Sequence, residues 1–194
     1  MVSFRVKQPS VPWVPSREDV IEVLASLIKP TPLDIFYDVG CGDGRVAIYI
    51  AKRHKIRTKC IELRRELVER SIKTAVEENV ADLVEVIEGD FFEIPLHDAT
   101  IVYMYLLTSV NQKLKPKLER ELRPGTIVIT LDFPITGWSP LSVLELPRGW
   151  QRILYLYVRG LSERGEYSME SLEKRFPETF LKLDMDVIAR YRRR

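Results

Sequence analysis

Three glycines stand within five positions in the stretch Asp38-Val39-Gly40-Cys41-Gly42-Asp43-Gly44-Arg45. That density lets the backbone turn tightly and approach a ligand without a Cβ in the way. Residues 33–37 ahead of it read as a buried strand. Residues 46–51 after it read as a helix, whose free N–H groups and positive dipole end face whatever the turn holds. This is the chemistry of a nucleotide-like cofactor site. The spacing is G-x-G-x-G rather than the G-x-G-x-x-G of dinucleotide sites, and acids flank the turn at Asp38 and Asp43. Two carboxylates repel a pyrophosphate but favour a ligand carrying an ammonium and a sulfonium, so the loop fits S-adenosylmethionine better than NAD. No G-x-x-x-x-G-K-[ST] run supports a P-loop.

Two further acids follow in order. Thr58-Lys59-Cys60-Ile61-Glu62 reads as a second strand, and Glu62 follows Gly44 by 18 residues. An α/β nucleotide site places there the carboxylate that accepts from ribose hydroxyls. Residues 84–88 read as a third strand running into Gly89-Asp90-Phe91. Asp90 is placed to accept from an adenine amino group and Phe91 to pack on the ring.

The elements that must position these residues alternate. Strands are predicted over 34–39, 58–62, 84–88, 99–106 and 126–132, with helices over 44–53, 64–79 and 111–122. Two more strands, 143–146 and 152–158, are expected to be antiparallel at the sheet edge. A helix with apolar residues at helical spacing from Val20 to Ile28 precedes them all. Ser16 is its expected cap, with Asp19 reaching back, and Pro30 and Pro32 end it. The pattern predicts an α/β fold, a doubly wound, mostly parallel seven-stranded sheet. It divides into a domain over 1–160 and a short C-terminal extension over 161–194, with a helix at 168–175 that Pro177 ends. Ligands bind such sheets at the carboxyl ends of the strands, where every motif above falls.

Composition narrows the class. The chain of 194 residues suits one domain, and a net charge of +2 implies no strong nucleic-acid field. Basic residues do cluster at 52–59 and at the C-terminus; solvated helix and chain ends are the favoured explanation. High charge with only five Asn and Gln resembles a thermophile's profile. Cys41 and Cys60 are expected to be free thiols rather than a disulfide. Two histidines and two cysteines, widely scattered, suggest no metal site. No signal peptide or long apolar run appears, so a soluble, cytoplasmic monomer without membrane insertion is expected.

Residues 33–133 resemble the seven-strand, class I S-adenosylmethionine-dependent methyltransferases. The resemblance rests on Asp38–Arg45, Glu62, Gly89-Asp90-Phe91 and the turn Leu122-Arg123-Pro124-Gly125-Thr126. It implies that Asp38 and the Gly40–Gly44 backbone, including Gly42 and Asp43, hold the methionine end. Glu62 would hold the ribose, and Asp90 with Phe91 the adenine.

The acceptor is set by the loop after the fourth strand, Met104-Tyr105-Leu106-Leu107-Thr108-Ser109-Val110-Asn111. It contains no Asp/Asn-Pro-Pro-aromatic tetrapeptide, no Pro-Cys nucleophile and no carboxylate cluster. An apolar, hydroxyl-bearing loop suits a lysine amine, which needs desolvation, alignment and a way to lose its proton. This loop and Val11-Pro12-Trp13-Val14-Pro15-Ser16 resemble the corresponding segments of archaeal broad-specificity protein lysine methyltransferases and their mitochondrial relatives. Carried over, the resemblance makes Pro12–Ser16, with Pro15, a cover on the cofactor and a wall of the lysine channel. Thr108, Ser109 and Asn111 would line the acceptor side with Tyr105 at its base; alternatively Thr108 and Ser109 cap the next helix. The expected activity is methyl transfer to lysine in protein substrates. RNA methylation is the alternative, and a small-molecule substrate is disfavoured because no insertion caps the sheet.

Overall fold

The computed structural model describes residues 13–147 and 149–193. Seven strands form one sheet: β1 (Ile35–Val39), β2 (Arg57–Glu62), β3 (Val84–Glu88), β4 (Ile101–Met104), β5 (Ile127–Leu131), β6 (Ser142–Glu145) and β7 (Ile153–Val158). Their order is β3-β2-β1-β4-β5-β7-β6. β1 through β5 run parallel. β1, β4 and β5 are near-continuous apolar runs, as strands covered on both faces require. β7 pairs antiparallel with both β5 and β6. Of the two edge strands predicted to be antiparallel, β7 alone opposes the sheet, and β6 points the same way as β1–β5.

Helices cover both faces. One side carries α1 (Glu18–Leu27), α2 (Arg45–His54) and α3 (Arg65–Glu77); the other carries α4 (Thr108–Glu121). The last segment holds α5 (Met169–Arg175), α6 (Pro177–Leu181) and α7 (Met185–Tyr191). It packs into the core that α1 shares, through Leu172, Leu183 and Ile188. Lys182 binds Asp34 at 2.7 Å and Lys29 binds Asp184 at 3.0 Å. Pro177 does close α5, but it also opens α6 from the first helical position, where the missing N–H costs nothing. α7 escaped the sequence reading; Asp184 starts it by accepting from the Asp186 and Val187 amides at 3.0 Å.

The chain order reverses between β1 and β4, so their onward connections diverge and leave a crevice at their carboxyl ends. Among the described residues no helix is long and apolar enough to cross a membrane.

Candidate cofactor and acceptor site

β1 delivers Val39 into the Gly-rich turn, where Gly40, Gly42 and Gly44 all have positive φ, between 59° and 78°. Gly42 cannot be replaced cheaply: an added Cβ would lie 2.4 Å from Trp13 Nε1. Gly44 starts α2, and a Cβ there would meet Ser71 Oγ at 2.7 Å. The Gly40 and Cys41 amides both donate to Ile61 O, at 2.9 and 3.0 Å, which pins the turn to β2.

That pinning corrects one expectation. Cys41 and Cys60 form a disulfide, with a Cα–Cα separation of 5.4 Å. Asp38 is paired with Cys60 across β1 and β2, so the turn after β1 folds back beside β2 and brings Cys41 to Cys60. Nineteen residues separate the cysteines in sequence, but the parallel register makes them neighbours.

A cavity of about 310 Å³ lies in the crevice. Asp38, Gly40, Gly42, Asp43, Glu62, Asp90, Phe91, Pro15 and Tyr105 all line it. Gly44, Thr108, Ser109 and Asn111 are not among its lining residues. Gly44 instead serves as the α2 cap position. Thr108 is the first residue of α4 and follows Leu107 at the cap position, with no capping side chain. Asn111 is wholly buried in α4, where its Nδ2 donates to Phe133 O at 2.9 Å. It therefore braces α4 against the segment after β5.

The acids differ in how they are held. Asp38 is buried, and its Oδ2 has no hydrogen-bond partner. Burial pushes its pKa up to about 8; the Ala47 amide opposes the rise, and the Asp43 and Glu62 charges add to it. Glu62 Oε2 accepts from the Gly42 amide at 3.0 Å, and Oε1 accepts from the Leu63 and Arg64 amides at 3.0 and 2.9 Å. A carboxylate has about four acceptor sites, so Oε2 keeps capacity for a ligand hydroxyl. Asp43 is gripped by the Arg45 guanidinium, Nε to Oδ1 at 2.9 Å and Nη2 to Oδ2 at 2.6 Å. Its charge is thus answered within the protein, leaving Asp38 as the acid suited to an ammonium. Asp90 Oδ1 accepts from the Phe92 amide at 2.9 Å, which sets the turn that presents Phe91 and Phe92.

The opposite wall comes from β4 and the N-terminal strap. Tyr103 sits beside Asp38 in the β1–β4 register, and its hydroxyl shares a 2.9 Å hydrogen bond with Ser16 Oγ. Ser16 therefore does not cap α1, whose cap position is Arg17, with no side-chain cap. Tyr105 stacks on Phe133 with ring centroids 5.9 Å apart. Burial raises the pKa of its hydroxyl, with Gln151 opposing and Asp132 adding to the rise. Leu106 is buried between this wall and Gly40. Trp13 and Ser16, within the Pro12–Ser16 segment read as a cover, also line the cavity, while Tyr103, Arg45 and Arg64 line it without having been singled out from the sequence. Only Tyr103 carried a signal, since it stands opposite Asp38 once β1 and β4 are paired. Val11 and Pro12 of the strap lie outside the described residues.

The residues fit S-adenosylmethionine on the structure's own terms. An unpartnered, buried carboxylate oxygen awaits a cation. The turn at Gly42 admits no side chain. An acid and two aromatic side chains stand further along the cavity.

The family model described as ANTKMT methyltransferase domain matches residues 38–142. A protein-lysine N-methyltransferase of Saccharolobus islandicus is 40% identical over 154 residues, spanning 78% of this chain and 96% of that protein. The adenine nucleotide translocase lysine N-methyltransferase of Mus musculus is 29% identical over 150 residues, spanning 77% of this chain and 64% of that protein. A solved structure of a Salinibacter ruber RNA methyltransferase, in complex with S-adenosylhomocysteine, is 40% identical with a TM-score of 0.71. It covers 75% of this chain and 93% of that one.

Proposed function

We propose, for a chain that belongs to the ANTKMT methyltransferase family, that it transfers a methyl group from S-adenosylmethionine to the ε-amine of lysine in protein substrates. The observation that carries this reading is one cavity that joins two unlike sets of groups. Asp38 offers a buried oxygen with no hydrogen-bond partner. Beside it Tyr103, Tyr105 and Leu106 add an apolar, hydroxyl-bearing wall, with no carboxylate from β4 or the two residues after it.

S-adenosylmethionine, when bound, supplies a sulfonium methyl that a neutral amine can take. Asp38 binds the ammonium of the methionine end and ionises as it does so. Glu62 accepts from the ribose through the spare capacity of Oε2. Asp90 and Phe91 hold the adenine by hydrogen bonding and packing. The aromatic wall strips water from the incoming lysine, which lowers its pKa and releases its proton to solvent. Tyr105, kept neutral by burial, accepts an N–H from the amine and aligns its lone pair rather than acting as a base.

RNA is the second reading, favoured by the likeness to the Salinibacter ruber protein. The basic cluster gives it little support. Lys52, Arg53 and Lys55 lie at the end of α2, and Arg57 begins β2, at the opposite end of the strands from the cavity. Six residues of β2 separate the two ends, about 20 Å. Lys52 and Lys59 are also paired, with Glu78 and with Glu85 and Asp98. The test uses purified protein, methyl-tritiated S-adenosylmethionine and a cell extract divided into protein and RNA pools. Label recovered as methyl-lysine is expected. Label confined to RNA and lost on RNase treatment would overturn the lysine reading.

A further inference from the structure

The strap across the cavity is held by residues from the far end of the chain. Gln151, wholly buried in the loop between β6 and β7, makes two hydrogen bonds to strap backbone. Its Nε2 donates to Pro15 O at 2.9 Å, and its Oε1 accepts from the Arg17 amide at 2.7 Å. Gly149, at φ 87°, gives the strap room: an added Cβ would fall 1.0 Å from Arg17 Nη1. Residues 13–17 contain no helix or strand, so nothing in the strap itself fixes its path. Contacts from the rest of the molecule do, among them Trp13 on Gly42 and beneath Arg70, Ser16 on Tyr103, and Gln151 on both sides of Ser16.

We propose that Gln151 is a positioning residue, a latch that closes the strap over bound cofactor. The proposal rests on the cofactor reading of the cavity given above. Both parts of the latch lie outside residues 38–142, which the family model matches. A primary amide suits the task, because one side chain must donate to a carbonyl and accept from an amide two residues away. Pro15 and Ser16 line the cavity, so a ligand reaching Asp38 and Asp90 passes beneath them. Entry and release then require these two hydrogen bonds to open. The population of the closed strap sets the apparent affinity for the cofactor.

Two variants separate latch from scaffold. Gln151→Met keeps length and volume and removes both hydrogen bonds. Gln151→Glu keeps an acceptor for the Arg17 amide and loses the donor to Pro15 O. S-adenosylhomocysteine affinity is read by calorimetry, and hydrogen exchange of residues 13–17 is followed in the same complexes. The expected result is about tenfold weaker binding for Gln151→Met and a smaller loss for Gln151→Glu. Exchange should rise in the strap while β1 and β4 stay protected. The KM for S-adenosylmethionine should rise with kcat at saturation within about threefold. Unchanged affinity and unchanged strap exchange in a folded variant would overturn the latch. So would exchange that rises equally across the sheet, which marks a general structural role. Neither binding readout involves an acceptor, so failure of the lysine reading would leave this test intact. A wild-type protein that fails to bind S-adenosylhomocysteine would instead sink the cofactor reading itself.

Discussion

At the Gly-rich end of the cavity, Glu62 accepts from Gly42, Leu63 and Arg64, and Asp43 is gripped by Arg45. No bonded pair among these spans more than 20 positions. At the β4 end, Tyr103 meets Ser16 across 87 positions and Gln151 reaches Pro15 across 136. The first end is built by a turn and the two strands it joins. The second exists only when the N-terminal strap, β4 and the β6–β7 loop come together. Substitutions in the turn should therefore weaken cofactor binding directly, those in the strap and at Gln151 should weaken it through closure, and those at Tyr105 should fail in alignment.

The largest expected effect is at Asp38. Asp38→Asn keeps the shape and removes the carboxylate that would pair with the ammonium, and among the described residues no other carboxyl oxygen is buried without a partner. Losing one side of a buried charge pair costs about 3–5 kcal/mol, so S-adenosylhomocysteine should bind at least ~100-fold more weakly by calorimetry. The fold should survive, since the neutral amide avoids the burial penalty. An affinity within threefold of wild type would move the ammonium elsewhere.

The disulfide comes next. Closing a loop between residues 41 and 60 is worth about 3 kcal/mol through the unfolded state. For a domain of this size that is roughly 6–12 °C in Tm. Thermal unfolding with and without a reductant, and of the Cys41→Ser/Cys60→Ser double variant, should show matching losses. The turn should still bind cofactor after reduction, because Ile61 O and Glu62 continue to hold it. If reduction abolished binding and left Tm unchanged, the staple would be setting the shape of the turn rather than the stability of the fold.

These two residue sets show what was legible. Asp38, Glu62 and Asp90 could be read because each stands at or just past the carboxyl end of a strand, at a spacing that a βα unit repeats. The disulfide could not, because a sequence separation of 19 says nothing about parallel register. Nor could Gln151, a lone glutamine beside an exposed Trp150 in a loop, whose partners lie at the other end of the chain. The seven strands and the helices α1 to α5 were read from alternating apolar runs, but the order of the strands in the sheet was not. α6 and α7 were missed because they are short and carry little periodicity. On the acceptor side, Thr108, Ser109 and Asn111 looked like lining because they follow β4, but α4 begins at Thr108 and takes all three into its first turn.

A pH series tests the cofactor end without substitution. The Asp38 carboxyl, raised to about 8 by burial, is protonated at neutral pH in the ligand-free protein. Binding a cation against it requires loss of that proton. Affinity for S-adenosylhomocysteine should climb by up to about tenfold per pH unit from roughly pH 6 to 8 and then level off. Binding at pH 7 should release close to one proton, seen as a buffer-dependent calorimetric enthalpy. The sign for folding is opposite. The folded state binds the proton more tightly than the unfolded state, so this group's contribution to stability is lost as pH rises from about 4 to 8. A cofactor affinity that stayed flat over this window would show Asp38 already ionised in the ligand-free protein.

The smallest effects separate the acceptor residues from one another. Tyr105 lines the cavity and stacks on Phe133, with its hydroxyl beside Gln151 and Asp132. Tyr105→Phe keeps the stack and removes the hydroxyl, a change worth about one hydrogen bond. A fall in kcat of about three- to tenfold, with the KM for S-adenosylmethionine unchanged, should follow in steady-state kinetics on a lysine-bearing substrate. Ser109 is exposed and does not line the cavity. Ser109→Ala should leave kcat and both KM values within about twofold, since exposed substitutions away from such features act weakly. If Ser109→Ala instead cost more than Tyr105→Phe, the acceptor lysine would approach over the start of α4. The wall that aligns it would then be the helix turn and not the stacked tyrosine, which would reverse the division of labour between the two ends of the cavity.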